Sequence, residues 1–259
     1  MNDDVVKSFW ESQAAKFKND VKAVNFDPLE EDLEFFYLGQ LVKDGESVCD
    51  LGCGNGRTLL DLALKNPQCD FHGVDFAENM IKIANDTKIS MGVQNINFYC
   101  LSAGSDDLEK ILMRKFDKVI SKRLLINLNS NDKLKAIENI HKILKDNGDY
   151  IMVECFMEPL ERINIIRGKL ELSEIKIKFF NEYLSEEFLT EISKIFVLNR
   201  EIDFESLYYF ISRVFNASLS QGEPDYFAPI NKLALELTKM GINPIKGMSP
   251  EKILIFNKK

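Results

Sequence analysis

Residues 47–57 constrain this chain most: Ser-Val-Cys-Asp-Leu-Gly-Cys-Gly-Asn-Gly-Arg. Val48 to Leu51 is a short apolar run of the kind buried as a strand. Glycines follow at 52, 54 and 56, and Thr58-Leu59-Leu60-Asp61-Leu62-Ala63-Leu64 then begins a helix. A strand that stops in a glycine turn and restarts as a helix leaves backbone N–H groups unpaired at the positive end of a helix dipole. Glycine permits the turn and lets a ligand approach the bare backbone. The expectation is an α/β fold with its ligand at the carboxyl end of this strand.

Two ligand classes use such a turn. A dinucleotide fingerprint needs G-x-G-x-x-G, its third glycine bringing helix and strand close together. Here Arg57 stands at that third position, the last glycine comes one residue early at Gly56, and Asp50 precedes Gly52 by two. The run from Asp50 to Gly56 resembles motif I of the class I S-adenosylmethionine-dependent methyltransferases. Further on, Leu144-Lys-Asp-Asn-Gly-Asp-Tyr-Ile-Met-Val-Glu154 is similar to the Leu-Lys-x-Gly-Gly turn and strand of that family. Gly148 matches its second glycine, and Asn147 replaces the first. Between these motifs the chain alternates strand-like and helix-like segments, so the resemblance covers 47–154 continuously.

The resemblance implies a three-layer α/β sandwich: a seven-stranded, mostly parallel sheet with its last strand antiparallel. It also implies an N-terminal helical lid over 1–45, a cofactor-binding core over 46–154 and an acceptor-side region over 155–259, within one domain spanning 1–259. Residues 4–18 and 29–42 have helical patterning, and 19–28 reads as a loop. A helix from Asn131 is expected to close at Asn147-Gly148. Strands are expected at 196–204 and from Lys252. The family joins these as a hairpin, but about 45 residues separate them, far more than a hairpin loop needs. The stretch 205–248 is therefore expected to be a helical insertion over the active site, with a loop at 221–229.

Composition narrows the partners. The 259 residues are 45% hydrophobic and 29% charged, with net charge −8. That suits a globular core and argues against a nucleic-acid partner, which usually meets a basic face. The acidic start is unlike a signal peptide, and no apolar run approaches the roughly 20 residues of a membrane span. Five cysteines lack the Cys/His spacing of a metal site. A cytoplasmic monomer or homodimer without a metal is expected.

Residue by residue, the resemblance implies that S-adenosylmethionine meets Asp50, Gly52, Cys53 and Gly54 in the turn, and Trp10 from the lid. Asp75 ends the second strand, 19 positions after Gly56, where a carboxylate takes hydrogen bonds from ribose hydroxyls in both cofactor classes. Phe76 and Met80 would flank the adenine. The family often places an acid after strand three; here Ser102 or the backbone at Ala103 is expected instead, since the next acids are Asp106 and Asp107. Ser121, ending strand four, completes the cofactor set.

The implied reaction is in-line displacement of the cofactor's methyl group, in which positioning supplies most of the catalysis. The acceptor should lie beyond strands four and five, near Arg123, Asn127 and Glu154, with Asn164 and Arg167 on the next helix. Arg123 would grip a carboxylate or phosphate with two parallel bonds. Glu154 is the reserve base for a sugar hydroxyl. Tyr208 and Tyr209, with Tyr183 and Tyr226 nearby, would wall a small-molecule pocket. The expected acceptor is a small molecule that is anionic or has an acidic or amine nucleophile; the Ser121–Glu154 stretch also resembles enzymes acting on sugars and surface-polysaccharide precursors. The enclosing insertion disfavours a peptide groove. The alternative is a non-catalytic cofactor-binding module or an NAD-dependent oxidoreductase on the same scaffold.

Overall fold

The computed structural model describes residues 3–18, 20, 27–220 and 225–259. The expected loops at 19–28 and 221–229 therefore fall largely or partly outside the described residues. The strands are β1 (Ser47–Leu51), β2 (Asp70–Asp75), β3 (Ile96–Cys100), β4 (Phe116–Lys122), β5 (Leu144–Cys155), β6 (Phe196–Ile202) and β7 (Glu251–Lys258). Among the described residues they form one seven-stranded sheet in the order β3-β2-β1-β4-β5-β7-β6. The pairs among β1 to β5 are parallel, and β7 runs antiparallel to both β5 and β6. The order reverses beside β1, so the strand leading into the glycine turn sits at the switch point where such sheets bind ligands.

Every residue of β1 is buried, as expected for a parallel strand covered on both faces. One face packs Leu108, Ile137, Ile140 and Ile192, from α5 (Leu108–Leu112), α6 (Ser130–Ile143) and α8 (Glu186–Ile192). The other packs Leu33, Leu59, Ile81 and Leu235, from α2 (Pro28–Gly39), α3 (Arg57–Lys65), α4 (Glu78–Met91) and α11 (Pro229–Lys239). The helix α1 (Asp3–Phe17) lies against α4. No helix among the described residues is long and apolar enough to cross a membrane.

Local chemistry sets the boundaries. Asp27 caps α2 by accepting from the N–H groups of Leu29 and Glu30, with Pro28 at the first helical position. Asn129 caps α6 by accepting from Asn131 and Asp132. That helix ends at Ile143, not at Asn147-Gly148 as expected. The chain passes directly into β5, with Leu144 opposite Phe116 and Asp149 opposite Lys118, so 145–148 form an irregularity inside the ladder. A side chain at Gly148 would come within 2.8 Å of the Asp117 carbonyl oxygen, so the glycine serves a close strand approach and not a helix cap.

The connection 203–250 carries α9 (Ser206–Phe210), a π-helical segment (Ile211–Asn216), α10 (Ala217–Leu219) and α11. Together with α7 (Met157–Lys169) and the segment 171–185, it builds the wall beyond the carboxyl ends of β4 and β5.

Candidate functional site

The glycine turn closes on itself and on β2. Gly52 and Cys53 both donate to the Val74 carbonyl, and Gly56 donates to Cys53. Gly52, Gly54 and Gly56 all have positive φ, at 81°, 53° and 76°. At Gly56 the conformation and the space agree: a Cβ there would lie 2.6 Å from the Phe98 ring. Arg57 forms a two-bond pair with Glu31, and both line the cleft over the turn.

Over this turn lies a cleft of about 720 Å³, lined in part by Trp10, Asp50, Gly52, Cys53, Gly54, Asp75, Phe76, Met80 and Asn127. Asp75 points from the end of β2. Its Oδ2 accepts from the Gly54 N–H (2.8 Å) and its Oδ1 from the Ala77 N–H (2.9 Å). Burial pushes its pKa up to about 6, against the pull of those N–H groups. Asp50 is 2% exposed, and its Oδ1 has no hydrogen-bond partner. Burial raises it to about 7, with Lys122 opposing and Asp75 adding. Met80 is buried with Ala14 and Ala77 under Trp10. Trp10 lies across the cleft, its Nε1 donating to Asn127 Oδ1 at 3.4 Å and its ring set edge-on to Phe180. Phe9 adds a closer contact to Phe180, with centroids 4.2 Å apart, tying α1 to the 171–185 segment.

A second lobe of about 560 Å³ shares Gly52, Asp75, Phe76, Leu124 and Asn127 with the first and adds Val6, Val74, Leu101, Ser102, Ala103, Leu128 and Asp132. Ala103 uses its carbonyl for Asn139. Asp132 was not anticipated from the sequence. The legible signal is Asn129: once it caps α6, the residue three places on is in the first turn, and its carboxylate faces this lobe.

For the cofactor implied by the sequence, these residues fit. The orphan Asp50 oxygen would accept from an ammonium and the Asp75 carboxylate from a diol, and the second lobe, with Asp132 among its lining, would take a purine. Ser121 is a correction: it is fully buried, its hydroxyl pairs with Tyr150 at 2.8 Å, and it does not reach the cleft. The pleat turns it under the sheet.

The acceptor-side expectations need more correction. Arg123 has φ +49°, and its guanidinium is shared between Glu34 and Glu251. Lys122 joins Glu34 at 2.5 Å. Burial pushes Glu34 up, but Arg123 and Lys122 outweigh it and hold its pKa at about 2. Arg123 is thus already neutralised and is not an open clamp for an anion. Glu154 is fully buried and accepts from the N–H groups of Leu124 (2.9 Å), Leu125 (2.8 Å) and Ile126 (3.4 Å). Burial still raises it to about 7. It caps the 3₁₀ turn Leu125–Asn127 after β4 instead of standing by as a base. Asn127 faces the two cofactor lobes, not the acceptor side. Asn164 exchanges both amide groups with the Ile175 backbone, and Arg167 donates to the carbonyls of Ser173 and Arg213. Both fasten the wall. Tyr208 is buried, its hydroxyl on Asp27.

Tyr209 does line a cavity, of about 830 Å³, beyond Arg123. It shares that cavity with Tyr183, Tyr226, Asp27, Glu30, Arg213 and Glu251, the last four not anticipated. Arg123 lines both this cavity and the cofactor cleft.

The comparisons with known proteins agree with this geometry. The family model described as "Methyltransferase domain" matches residues 42–192. Among curated proteins, the chain is 30% identical over 135 residues to the protein-lysine N-methyltransferase EFM4 of Saccharomyces cerevisiae, covering 48% of this chain and 58% of that protein. It is 25% identical over 183 residues to a carboxy-S-adenosyl-L-methionine synthase of Campylobacter lari, covering 67% and 74%. The chain spans a little over half the length of the first curated relatives it matches. Magnesium protoporphyrin IX methyltransferase of Synechocystis, solved with S-adenosylhomocysteine, superposes with TM-score 0.60 at 14% identity over the whole of both chains. That likeness is one of fold. The family match covers more than half of the sequence: the chain belongs to the methyltransferase-domain family, built on the class I architecture, whose cofactor is S-adenosylmethionine.

Proposed function

We propose that this protein transfers a methyl group from S-adenosylmethionine to a small-molecule acceptor held in the cavity beyond Arg123. One observation carries the reading: the cofactor cleft and a separate cavity meet at Arg123, past the ends of β4 and β5. When bound, the cofactor supplies an electrophilic methyl on a sulfonium. The chain's own part is to bind, orient and exclude water. Asp50 takes the ammonium, Asp75 the ribose diol, and Phe76, Ser102, Ala103 and Asp132 surround the adenine. Residues 1–45 act as a lid through Trp10, 46–154 as the cofactor core and 155–259 as the acceptor side of one unit. Five free cysteines, four of them buried, suit a cytoplasmic setting.

An anionic or sugar acceptor held by Arg123 is the less favoured version, because Glu34 and Glu251 already neutralise that guanidinium. A protein acceptor is the second reading, favoured by the name of the yeast relative. The test is incubation with deuteromethyl-labelled S-adenosylmethionine and a metabolite extract. Label is expected in small molecules; label confined to protein overturns the small-molecule acceptor.

The raised Asp50 adds a pH prediction. Its folded pKa lies above the unfolded value. In the ligand-free protein its contribution to stability is therefore present below about pH 4 and lost as pH rises through about 7. Binding of an ammonium runs the opposite way, since it needs the carboxylate. Affinity for S-adenosylhomocysteine should rise roughly tenfold between about pH 6 and about pH 8, and Asp50→Asn should flatten that profile in calorimetry.

A further inference from the structure

Resting on the methyltransferase reading, we infer that the acceptor nucleophile is an amine and that Glu251 receives its N–H group. The cavity beyond Arg123 offers an anion little. Arg123 is shared by Glu34 and Glu251, and Arg213 faces Asp27 at 2.8 Å and Glu30 at 3.7 Å. Each guanidinium thus already meets two carboxylates. Lys176 and Lys178, on the 171–183 segment, also line the cavity, and the Lys178 ammonium lies 5.9 Å from the centroids of the Phe9 and Phe180 rings.

The floor has the opposite need. Glu251 lines the cavity and is 3% exposed. Its Oε1 accepts from Arg123, while its Oε2 is buried without a hydrogen-bond partner. Behind it, Ser249 donates to Glu205 Oε1 and accepts from the Glu251 N–H, and Glu205 Oε2 is likewise unpartnered. A buried carboxylate oxygen left unpaired is costly and rare. An N–H group completes it; a carboxylate or phosphate on the acceptor repels it. Tyr183, Tyr209 and Tyr226 line the same cavity, and aromatic faces favour a cationic or amine-bearing guest over an anion. Arg213 already lies over Tyr209 and Tyr226, 5.1 and 4.8 Å from the ring centroids. The charged groups that act on Glu251 are Arg123, Glu34, Glu30 and Lys122, with burial the largest influence, pushing its pKa up.

The step balances without another reactant. The neutral nitrogen's lone pair forms the N–C bond, the C–S bond breaks with its electrons going to sulfur, and the surplus N–H proton passes to water. Glu251 holds the nitrogen in line. In a Gln, the amide oxygen still accepts from Arg123, but an NH2 donor replaces the Oε2 acceptor.

The experiment uses the intact protein with deuteromethyl-labelled S-adenosylmethionine and a metabolite extract divided by cation exchange, anion exchange and protein precipitation. Label is expected in compounds other than the cofactor itself that the cation exchanger retains. Glu251→Gln should lower the transfer at least about tenfold, through KM, while affinity for S-adenosylhomocysteine stays within about twofold. Label in neutral or anion-exchanger-retained compounds overturns the inference, as does full activity of Glu251→Gln. So does absence of label from a protein that binds S-adenosylhomocysteine. Label on protein lysines supports the amine and overturns the small-molecule reading alone. Failure of the wild-type protein to bind S-adenosylhomocysteine strikes the methyltransferase reading instead. The wild-type fractionation decides the amine class whether or not the variant folds.

Discussion

Asp75→Ala is expected to weaken S-adenosylhomocysteine binding by a hundredfold or more. Its carboxylate sits at the end of β2 inside both lobes of the cleft and would meet the ribose diol. Hydrogen bonds to a charged group contribute about 1.5–3 kcal/mol each, so losing two removes about 3–6 kcal/mol, where about 1.4 kcal/mol is a factor of ten. The substitution also frees the N–H groups of Gly54 and Ala77, which Asp75 holds at 2.8 and 2.9 Å, so the turn loses one of its ties to β2 and keeps those of Gly52 and Cys53 to Val74. Asp75→Asn keeps one acceptor oxygen and should fall between wild type and alanine. Titration calorimetry measures both; affinity within about threefold of wild type for Asp75→Ala contradicts the assignment.

The second large effect is on stability. Glu34 is fully buried and carries the ion pairs of both Lys122 and Arg123. Glu34→Gln leaves the largely buried Lys122 facing a neutral amide and Arg123 with Glu251 as its remaining carboxylate. Breaking a buried pair from one side costs about 3–5 kcal/mol. For a chain of this size that corresponds to a fall in Tm of roughly 10 °C. The sign with pH follows from the depressed pKa: the unfolded carboxyl titrates near 4.5 and the folded one near 2, so the contribution is present above about 4.5 and lost as pH falls towards 2. Wild type and variant should therefore converge in acid. Equal melting temperatures at neutral pH would show that the cluster adds nothing to stability.

The parts of this molecule written in local sequence were legible. The strand, glycine turn and helix at 47–65 need only neighbouring residues, and Asp75 follows from its distance along one β-α-β unit. The alternation of apolar runs with helical stretches points to a parallel α/β sheet, while the antiparallel last strand is implied only by the family resemblance. The acceptor side was not legible, because its partners are remote. Arg123 looks open in sequence, yet Glu34 lies 89 positions away and Glu251 128. Glu154 and Ser121 end adjacent strands, but the pleat and the turn after β4 bury both. Asn164 and Arg167 have the right chemistry on the right helix, and they are consumed by carbonyls of 173–175 and Arg213. Helix-start chemistry hid Asp132: a helix begun at Asn131 leaves it unremarkable, whereas one capped by Asn129 aims it into the cleft.

The central claim is the cofactor, and calorimetric titration of the intact protein with S-adenosylhomocysteine and, separately, with NADH tests it most directly. Arg57 in place of the third spaced glycine and the orphan oxygen of Asp50, beside Asp75 in the cleft, predict saturable binding of S-adenosylhomocysteine and none of NADH. Binding of NADH with no heat from S-adenosylhomocysteine would contradict the account.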